Sequence, residues 1–272
     1  MTLREVVAAA LAEDLMPLGD LTAALLPPQA TVEAVVVPRA DGILAGSAAA
    51  HEVFAQVDGR ISVTWTASDG DVVGAGAPVA RVEGPLAPVL TAERTALNFL
   101  SHLSGIATLT RRYVDAAAGR AAIRDTRKTT PGLRALEKAA VRAGGGVNHR
   151  GNLSDGILVK DNHLAGMSIE QAVAAARRIW PGRTVQVECD DVDQLKQALA
   201  AGADLVLLDN MSPDEVTVCV ELVNRRCLVE VSGGVTLDTV AAYAATGADL
   251  IAIGALTHSA PVLDIGLDLK GA

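Results

Sequence analysis

The sequence predicts an α/β protein with two domains: an N-terminal α+β domain and a parallel-stranded domain, for which a (β/α) barrel is favoured. With 272 residues, the chain is long enough to form two hydrophobic cores. The apolar pattern changes near residue 110 from short strands separated by turn residues to a regular alternation of strands and helices. Polar residues and glycines end the later strands, as they do on the functional rim of barrels.

The N-terminal domain is predicted for residues 1–110. The chain begins with MTLREVVAAALAEDL, which has the pattern of an amphipathic helix. Three strand-like runs, separated by Asp-Gly and similar turn signals, follow as TVEAVVVP (31–38), ISVTWTA (61–67) and PVARVEG (78–84). A helical pattern then extends from about Leu86 to Ala118, with an interruption near Gly105.

Six strand–helix units can be recognised from Ile123 onward. Their apolar runs are AIRDT, GILVK, TVQVE, DLVLLD, CLVEVSGG and DLIAIG, and helical segments rich in Ala and Leu lie between them. Continuous apolar strands that alternate with helices predict a parallel sheet covered on both faces. The number of units fits a barrel or a doubly wound sheet, and a further short strand near Val147 would also fit.

The residues that end these strands favour the barrel. They are Asp125 to Lys128, Lys160 to His163, Glu188, Asp209 and Asn210, Ser232 to Gly234, and Gly254. Barrel enzymes carry their chemistry at the C-terminal ends of the strands, where the βα loops meet. So many polar strand ends on one rim would be costly in a purely structural protein, because buried polar groups need partners.

A basic segment runs from Arg124 to Lys160 in a chain that is acidic overall. It contains eight Lys and Arg residues and three Asp and Glu residues, a balance of +5, whereas the formal net charge of the chain is −9. Because a cleft lined by one sign of charge concentrates the electric field, this segment predicts a pocket for a small, highly charged anion. Nucleic acid is not an expected partner, since the chain is acidic and has only two Trp, two Tyr and two Phe.

The remaining composition predicts a cytoplasmic protein with no membrane partner. No apolar run reaches the ~20 residues of a membrane span. The N-terminus lacks the basic start and the long apolar core of a signal peptide. Cys189, Cys219 and Cys227 are odd in number and have no CxxC spacing, so we interpret them as reduced core thiols.

Two glycine turns and two carboxylates predict binding sites on the rim, each with a simpler alternative. The glycines of Ser232-Gly233-Gly234 and Gly254-Ala255 let backbone N–H groups approach a phosphate, or they only make tight turns. Glu188 and Asp209 end neighbouring strands and could hold Mg²⁺ or ribose hydroxyls, or they could pair with the Arg and Lys cluster.

Lysine and histidine residues on the same rim also have more than one interpretation. Lys160 ends an apolar strand and could form a Schiff base, but Arg127, Lys128 and Arg150 nearby favour a role as a cation. Three histidines lack the spacing of a zinc site, namely His149, His163 and His258. The first and last of these are candidate donors to anions, and His163 is a candidate cap of the strand end.

Long blocks of the sequence are similar to the quinolinate phosphoribosyltransferase family, also called nicotinate-nucleotide pyrophosphorylase (carboxylating). They are EDL…GDLT near the start, TAERTALNFLSHLSGIAT (91–108), DTRKTTPGLRALEKAAVRAGGGVNHR (125–150), LVKDNH (158–163), VQVECD (185–190), LLDNMSP (207–213), VSGG (231–234) and IGALTHS (253–259). These blocks span nearly the whole chain and are far more specific than a single glycine motif. A sister group of molybdenum-associated proteins shares the architecture, but the RKTTPG and GGGVNHR blocks favour the quinolinate enzymes.

The resemblance implies a fold and an activity. The fold is an N-terminal α/β sandwich, residues 1–110, and an incomplete, seven-stranded (β/α) barrel, residues 111–263, with the tail 264–272 returning to the first domain. The activity is the conversion of quinolinate and phosphoribosyl pyrophosphate to nicotinate mononucleotide, pyrophosphate and CO₂ in de novo NAD biosynthesis. The implied cofactor is Mg²⁺.

The resemblance also implies the residues of the site. The pocket for the quinolinate carboxylates consists of Arg127, His149, Arg150 and Lys160, and the phosphate contacts are Lys128, Ser232, Gly233, Gly254 and His258. Glu188 and Asp209 would hold Mg²⁺ and the ribose, and together with Lys160 they form the expected catalytic set. Arg94 is expected to come from a partner subunit, which implies a homodimer or a higher homo-oligomer.

Two other classes of function stay open from the residues alone. A barrel lyase or aldolase would use Lys160 as a covalent nucleophile, which borohydride trapping with substrate would reveal. A non-catalytic protein would bind phosphorylated ligands without turnover, although the crowded rim argues against this class. A product assay distinguishes it from an enzyme.

Overall fold

Helices and strands alternate along the computed structural model, which describes residues 1–270. The helices are α1 (Leu3–Leu15), α2 (Ser47–Val57), α3 (Leu86–Ala117), α4 (Arg134–Ala143), α5 (Ile169–Ile179), α6 (Val192–Ala200), α7 (Pro213–Val223), α8 (Val240–Ala245) and α9 (Ala255–His258). The strands are β1 (Thr31–Pro38), β2 (Gly42–Ile43), β3 (Ser62–Trp65), β4 (Val72–Val73), β5 (Ala80–Pro85), β6 (Ala122–Arg124), β7 (Ile157–Val159), β8 (Val185–Cys189), β9 (Leu205–Asp209), β10 (Leu228–Ser232), β11 (Leu250–Ala252) and β12 (Ile265–Leu269). Short 3₁₀ helices occupy Ala23–Leu25 and Asp161–Gly166. No helix in this part of the chain combines the length and the apolar character that crossing a bilayer requires.

The chain divides into two compact units. The first contains Met1–Arg111, Thr129–Gly145 and the residues from Thr257 onward, and the second contains Arg112–Lys128 and Gly146–Leu256. The sequence-based boundaries differ from this division, because they place both α4 and residues 257–263 in the barrel. Helix α4 belongs to the first unit because Leu133 and Leu136 pack against the hydrophobic core of that unit.

The first unit is built on a four-stranded antiparallel sheet in the order β12-β1-β5-β3. The last strand of the chain pairs with the first, and Val36 lies opposite Leu267. The tail predicted for residues 264–272 therefore contributes strand β12 to this sheet, and its residues 271 and 272 lie outside the described part of the chain. A separate pair of short antiparallel strands joins β2 and β4.

The helices of the first unit bury their apolar faces in one core with the sheet. Val7 from α1, Phe54 from α2 and Leu100 from α3 belong to the same buried cluster as Val36 and Val82 from the strands. Each of these side chains is at most 2% exposed. Helices on one face of an antiparallel sheet form the layered arrangement that the sequence predicted for this part of the chain.

Helix α3 is continuous, and the predicted interruption near Gly105 is wrong. A Cβ atom at this position would lie 2.2 Å from the carbonyl oxygen of Pro261, in the same unit. Glycine is therefore required inside the helix because another stretch of backbone passes very close to it. In the sequence, a glycine needed for close packing cannot be told apart from a glycine that breaks a helix.

The second unit contains a six-stranded parallel sheet in the order β6-β11-β10-β9-β8-β7. The strand of this sheet that comes first in the chain, β6, pairs with the one that comes last, β11, with Ile123 opposite Ile251, as expected for an incomplete (β/α) barrel. Beyond β6, Val147 makes one parallel bridge to Arg124, so the seventh strand position is reduced to a single bridge. The predicted α/β fold, with a small antiparallel sheet and a parallel sheet with helices, is confirmed.

Side-chain caps start the helices that follow β7, β8 and β9. Ser168, Asp191 and Ser212 each accept a hydrogen bond from the backbone N–H three residues later, at the beginning of α5, α6 and α7. Helices α6 and α7 begin three and four residues after β8 and β9 end, which leaves short loops there. The connection from β7 to α5 is longer and contains the 3₁₀ helix Asp161–Gly166.

Candidate active site

A cavity of about 300 Å³ lies at the carboxyl ends of the strands of the second unit. Its walls are formed by Thr126, Arg127, Lys128, His149, Arg150, Leu158, Lys160, Glu188, Leu207, Asp209, Ser232 and Ala252. Most of these are the polar strand ends that the sequence singled out. The structure therefore brings residues from six strands and one connecting segment to one site, at the place where barrels carry their chemistry.

The floor of the cavity follows from the two-residue repeat of the strands. Arg124, Gln186 and Glu230, on β6, β8 and β10, are joined by hydrogen bonds into a buried polar layer. Two residues further along the same strands, and thus on the same side of the sheet, are the cavity-lining residues Thr126, Glu188 and Ser232. Because alternate strands of a barrel contribute to one layer of side chains, the polar layer lies one step beneath the cavity.

The cavity gathers five basic or imidazole side chains, all predicted from the sequence: Arg127, Lys128, His149, Arg150 and Lys160. Arg127 is exposed, whereas Arg150 is half-buried and donates from Nη1 to the carbonyl of Gly156 at 3.0 Å. Burial lowers the pKa of Arg150, and the nearby charge of Arg127 lowers it further. Two guanidinium groups whose charges interact in one cavity favour the binding of an anion there.

His149 is held through both its backbone and its ring. Its backbone N–H donates to Oδ1 of buried Asp125 at 2.8 Å, and its Nδ1 accepts from the backbone N–H of Arg150 at 2.7 Å. Because Nδ1 accepts, the proton of the neutral ring resides on Nε2, which lies 3.7 Å from Oε2 of Glu230. The ring is therefore oriented by its neighbours before any ligand arrives.

Glu230 is the carboxylate of the buried polar layer. Its side chain is 0% exposed, and Oε2 accepts hydrogen bonds from Arg124 Nη1 at 3.0 Å and from Gln186 Nε2 at 2.6 Å. Burial raises the pKa of Glu230, and the contacts with Arg124 and Gln186 oppose this rise. Among the described residues, Oε1 has no hydrogen-bond partner. A single oxygen thus joins three strands of the unit beneath the site.

Lys160 and Glu188 form an ion pair between the ends of β7 and β8. The pair favours a role for Lys160 as a cation over the Schiff-base hypothesis, because a covalent nucleophile needs a free amine. The backbone N–H of Lys160 donates to Nδ1 of His163 at 3.0 Å, which confirms that His163 caps the strand end.

Glu188 and Asp209 line the same cavity from neighbouring strands. Oδ2 of Asp209 accepts from the Asn210 side chain at 2.7 Å. Across residues 1–270, no three His, Cys, Asp or Glu side chains are grouped so that they could hold a metal ion. Two carboxylates without a third protein ligand fit Mg²⁺, which keeps several waters and takes its other ligands from substrate phosphates. They do not fit structural zinc, which needs four protein ligands.

The glycine turn after β10 is required by close packing. Gly233 has φ +92°, and a Cβ atom there would lie 2.2 Å from Oδ1 of Asn210. This confirms the tight-turn role of Gly233, and its contact with a phosphate stays a prediction. Ser232 lines the cavity, and Gly254 follows the lining residue Ala252 by two positions.

Arg94 and His258, which the resemblance adds to the site, belong to the first unit. Arg94 is exposed on α3. His258 is exposed at the end of α9, with Nδ1 2.7 Å from the hydroxyl oxygen of Ser259. Their roles at the site stay predictions.

Sequence reasoning missed the polar contacts that support the cavity. They join the buried residues Asp125, Gln186 and Glu230 and the half-buried residues Arg124 and Asn148, of which Asp125 was predicted only as part of a strand end and Arg124 only as part of the basic segment. A signal was present for two of them, because Gln186 and Glu230 interrupt otherwise apolar central strands. A polar residue inside a strand that is covered on both faces needs a buried partner. Gln186 and Glu230 occur two residues before the polar strand ends Glu188 and Ser232.

Similarity to known proteins extends over almost the whole chain. The family models for the N-terminal and C-terminal domains of quinolinate phosphoribosyl transferase match residues 20–104 and 106–268. The nicotinate-nucleotide pyrophosphorylase [carboxylating] of Mycobacterium leprae is 46% identical over 276 residues, covering 98% of this chain and 96% of that protein. The probable enzyme of the same name from Bacillus subtilis is 42% identical over 254 residues, covering 92% and 88%.

Solved structures give the same result for the fold. The nicotinate-nucleotide pyrophosphorylase from Francisella tularensis aligns with a TM-score of 0.94 and 39% sequence identity, covering 98% of this chain and 96% of that chain. The protein of that name from Ehrlichia chaffeensis aligns with a TM-score of 0.94 and 38% identity, covering 99% of both chains. Sequence and fold agree over both units, and the chain therefore belongs to the quinolinate phosphoribosyltransferase family.

Proposed function

We propose that this chain transfers the phosphoribosyl group of phosphoribosyl pyrophosphate to quinolinate and releases pyrophosphate and CO₂. The product is nicotinate mononucleotide, an intermediate of de novo NAD biosynthesis. The observation that carries the proposal is the gathering of Arg127, His149, Arg150 and Lys160 around one cavity of about 300 Å³. Membership of the family supports it, because the relatives from M. leprae and B. subtilis are named nicotinate-nucleotide pyrophosphorylases [carboxylating].

The cations of the cavity bind and orient the dianion. Quinolinate has carboxylates on two adjacent ring carbons, and Arg127, Arg150 and Lys160 supply fixed positive charge for both. The pyridine nitrogen is adjacent to one of the carboxylates, so fixing the carboxylates also fixes the direction of the nitrogen lone pair. Orientation of this kind can supply much of the rate acceleration of a substitution reaction without acid–base chemistry.

The reaction proceeds in two parts. The nitrogen lone pair forms a bond to the anomeric carbon of the ribose while the bond from that carbon to pyrophosphate breaks. Positive charge builds on the ribose during this exchange, and the carboxylates of Glu188 and Asp209 stabilise it. The carboxylate next to the pyridinium then leaves as CO₂, its bonding electrons remain on the ring carbon beside the cationic nitrogen, and a proton from solvent completes the product.

Mg²⁺ is the metal that the site residues fit. Glu188 and Asp209 would hold it, mainly through water and substrate oxygens. When bound, the ion supplies positive charge that stabilises the departing pyrophosphate. The chain's own groups for the phosphates are Lys128, Ser232, Gly233, Gly254 and His258, of which the first two line the cavity.

The functional unit is a homodimer or a higher homo-oligomer, in which Arg94 acts on the site of a partner subunit. The exposure of Arg94 on α3 supports this proposal, because a side chain that serves another subunit must be accessible on its own. We place the enzyme in the cytoplasm, where both substrates are polar metabolites that need no membrane.

A product assay tests the proposal. Purified protein is incubated with quinolinate carrying ¹⁴C in the carboxylate beside the nitrogen, with phosphoribosyl pyrophosphate and with Mg²⁺. We expect labelled CO₂ and nicotinate mononucleotide in equal amounts, and neither product when phosphoribosyl pyrophosphate is left out. Binding of both substrates without release of CO₂ would instead indicate an anion-binding protein.

A further inference from the structure

The segment that carries His149 and Arg150 lacks regular secondary structure of its own. Residues 148–150 lie outside helices and strands, directly after the single bridge between Val147 and Arg124. A segment of this kind does not place two side chains accurately by its backbone alone, because loops have more conformational freedom than strands. Contacts from neighbouring elements must therefore determine where the two side chains lie.

Asp125 provides the central contact. Its side chain follows β6 and is 0% exposed. Oδ1 accepts from the backbone N–H of His149 at 2.8 Å, and Oδ2 accepts from the side-chain amide of Asn148 at 2.5 Å. One buried carboxylate therefore binds two consecutive residues of the segment, immediately before Arg150.

Further hydrogen bonds fix the register of the segment against β6. The backbone N–H of Val147 donates to the carbonyl of Ile123 at 2.8 Å, and that of Asp125 donates to the carbonyl of Val147 at 3.3 Å. Nε of Arg124 donates to the carbonyl of Asn148 at 3.3 Å. These bonds hold residues 147 and 148, but the backbone of His149 is bound through Asp125.

Asp125 suits this task because an ionised carboxylate accepts hydrogen bonds through both oxygens. Bonds to an ionised acceptor are shorter and stronger than bonds between neutral groups. A buried carboxylate is also costly unless its oxygens are used, so the Asp125 contacts favour one arrangement of the segment over others. The cavity-lining residues Glu188, Asp209 and Ser232 lie on or at the ends of β8, β9 and β10, outside this segment.

We propose that Asp125 is a positioning residue that fixes His149 and Arg150 for the carboxylates of the pyridine substrate. This inference rests on the proposed quinolinate phosphoribosyltransferase activity. It predicts a selective defect: loss of Asp125 weakens the use of quinolinate and leaves the use of phosphoribosyl pyrophosphate nearly unchanged. A residue that only stabilised the fold would affect both substrates together.

The test compares KM for the two substrates in wild type, Asp125→Ala and Asn148→Ala. We expect Asp125→Ala to raise KM for quinolinate by about tenfold to a hundredfold, the range that follows when a binding group shifts by about 1 Å. Its KM for phosphoribosyl pyrophosphate should stay within about twofold of wild type. Asn148→Ala removes the bond to Oδ2 and keeps the bond from the His149 backbone N–H to Oδ1, so its defect should be smaller and of the same kind.

A swap variant tests the hydrogen bonds themselves. Asp125→Asn turns one acceptor into a donor that faces the amide of Asn148, and adding Asn148→Asp restores one donor and one acceptor at this contact. The double variant should therefore reverse part of the rise in quinolinate KM that Asp125→Asn causes.

Asp249→Ala is the control. Asp249 also accepts a hydrogen bond from a backbone N–H, that of Val229 at 2.8 Å, but it precedes β11 instead of following a strand at the cavity.

The possible results separate the two levels of inference. Equal increases in both KM values, or a quinolinate KM in Asp125→Ala within about twofold of wild type, would overturn the role of Asp125 while leaving the activity intact. Lack of turnover by wild-type protein would contradict the proposed function and this inference with it. If Asp125→Ala does not fold, as judged by circular dichroism, Asn148→Ala and the swap variant decide the question.

Discussion

Lys160 at the end of β7 forms an ion pair with Glu188 on the neighbouring strand β8, and both side chains line the same cavity. The Lys160 side chain is 41% exposed and that of Glu188 is 11% exposed. In the proposed function, Lys160 binds a carboxylate of quinolinate and Glu188 serves Mg²⁺ and the ribose. The ion pair between Lys160 and Glu188 therefore competes with both of these roles.

Glu188→Gln should separate these roles. Without the competing carboxylate, quinolinate should bind more tightly by up to about fivefold, because a partly exposed ion pair contributes up to about 1 kcal/mol. KM for phosphoribosyl pyrophosphate should rise, since one carboxylate for the metal and ribose is lost. Calorimetric titration and initial rates measure the two effects, and Glu221→Gln on the exposed side of α7 is the control. Weaker binding of quinolinate would mean that the ion pair supports the pocket.

Arg150→Ala should impair quinolinate binding more than Arg127→Ala. Arg150 is half-buried and Arg127 is exposed, so the pairing of Arg150 with a carboxylate is less screened by water. We expect a loss of about 2–5 kcal/mol for Arg150→Ala, the usual cost of removing one partner of a desolvated charge pair, and a smaller loss for Arg127→Ala. Direct binding of quinolinate measures both, with Arg178→Ala on α5 as the control.

Discrimination between quinolinate and nicotinate tests the same pocket independently. Nicotinate lacks the carboxylate next to the nitrogen, so it leaves cations of the site unpaired, and kcat/KM should strongly favour quinolinate. Comparable kcat/KM values for the two acids would refute the assignment of the cationic residues to a dicarboxylate pocket.

Turnover should require Mg²⁺. Glu188 and Asp209 offer two carboxylates on adjacent strands, and the leaving group is a pyrophosphate. Excess chelator should abolish activity, and added Mg²⁺ should restore it. Asp209→Ala should lose most of kcat while its circular dichroism and melting temperature stay near wild type. Full activity in chelator would contradict the proposed metal.

Arg94 should act on the site of a partner subunit. Arg94→Ala and Lys160→Ala should each be inactive alone, and mixing them should restore activity, because one pocket of a mixed dimer receives both intact residues. With random exchange about half of the dimers are mixed and each has one working site of two, so recovery should approach about a quarter of wild-type activity. Demonstrated subunit exchange without recovery would show that Arg94 does not act in trans.

Glu230→Gln should change how stability depends on pH. Burial raises the pKa of Glu230 in the folded protein. At pH values between the pKa of this group in the unfolded state and its pKa in the folded state, the folded state therefore binds more protons. Stability contributed by this group is therefore present at low pH and is lost as pH rises through that window. Glu230→Gln should remove this decline, whereas Glu221→Gln should keep it. Denaturant unfolding at several values between about pH 4 and pH 8 measures the slopes.

Local sequence patterns determined the elements and most of the site. The alternation of apolar strands with Ala-rich helices predicted the parallel sheet, since a strand buried on both faces must be apolar throughout. The polar residues that break this pattern, such as Lys160, Glu188 and Asp209, were predicted to meet, because parallel strands end on the same rim. All three line one cavity in the structure.

Only the tertiary structure decided what supports that site. The contact between Asp125 and the segment at Asn148 and His149, and the bonds from Glu230 to Arg124 and Gln186, join residues far apart in sequence. No short-range period encodes such contacts. They depend on the order and register of the strands, and these are fixed when the whole sheet packs and each buried polar group finds its partner.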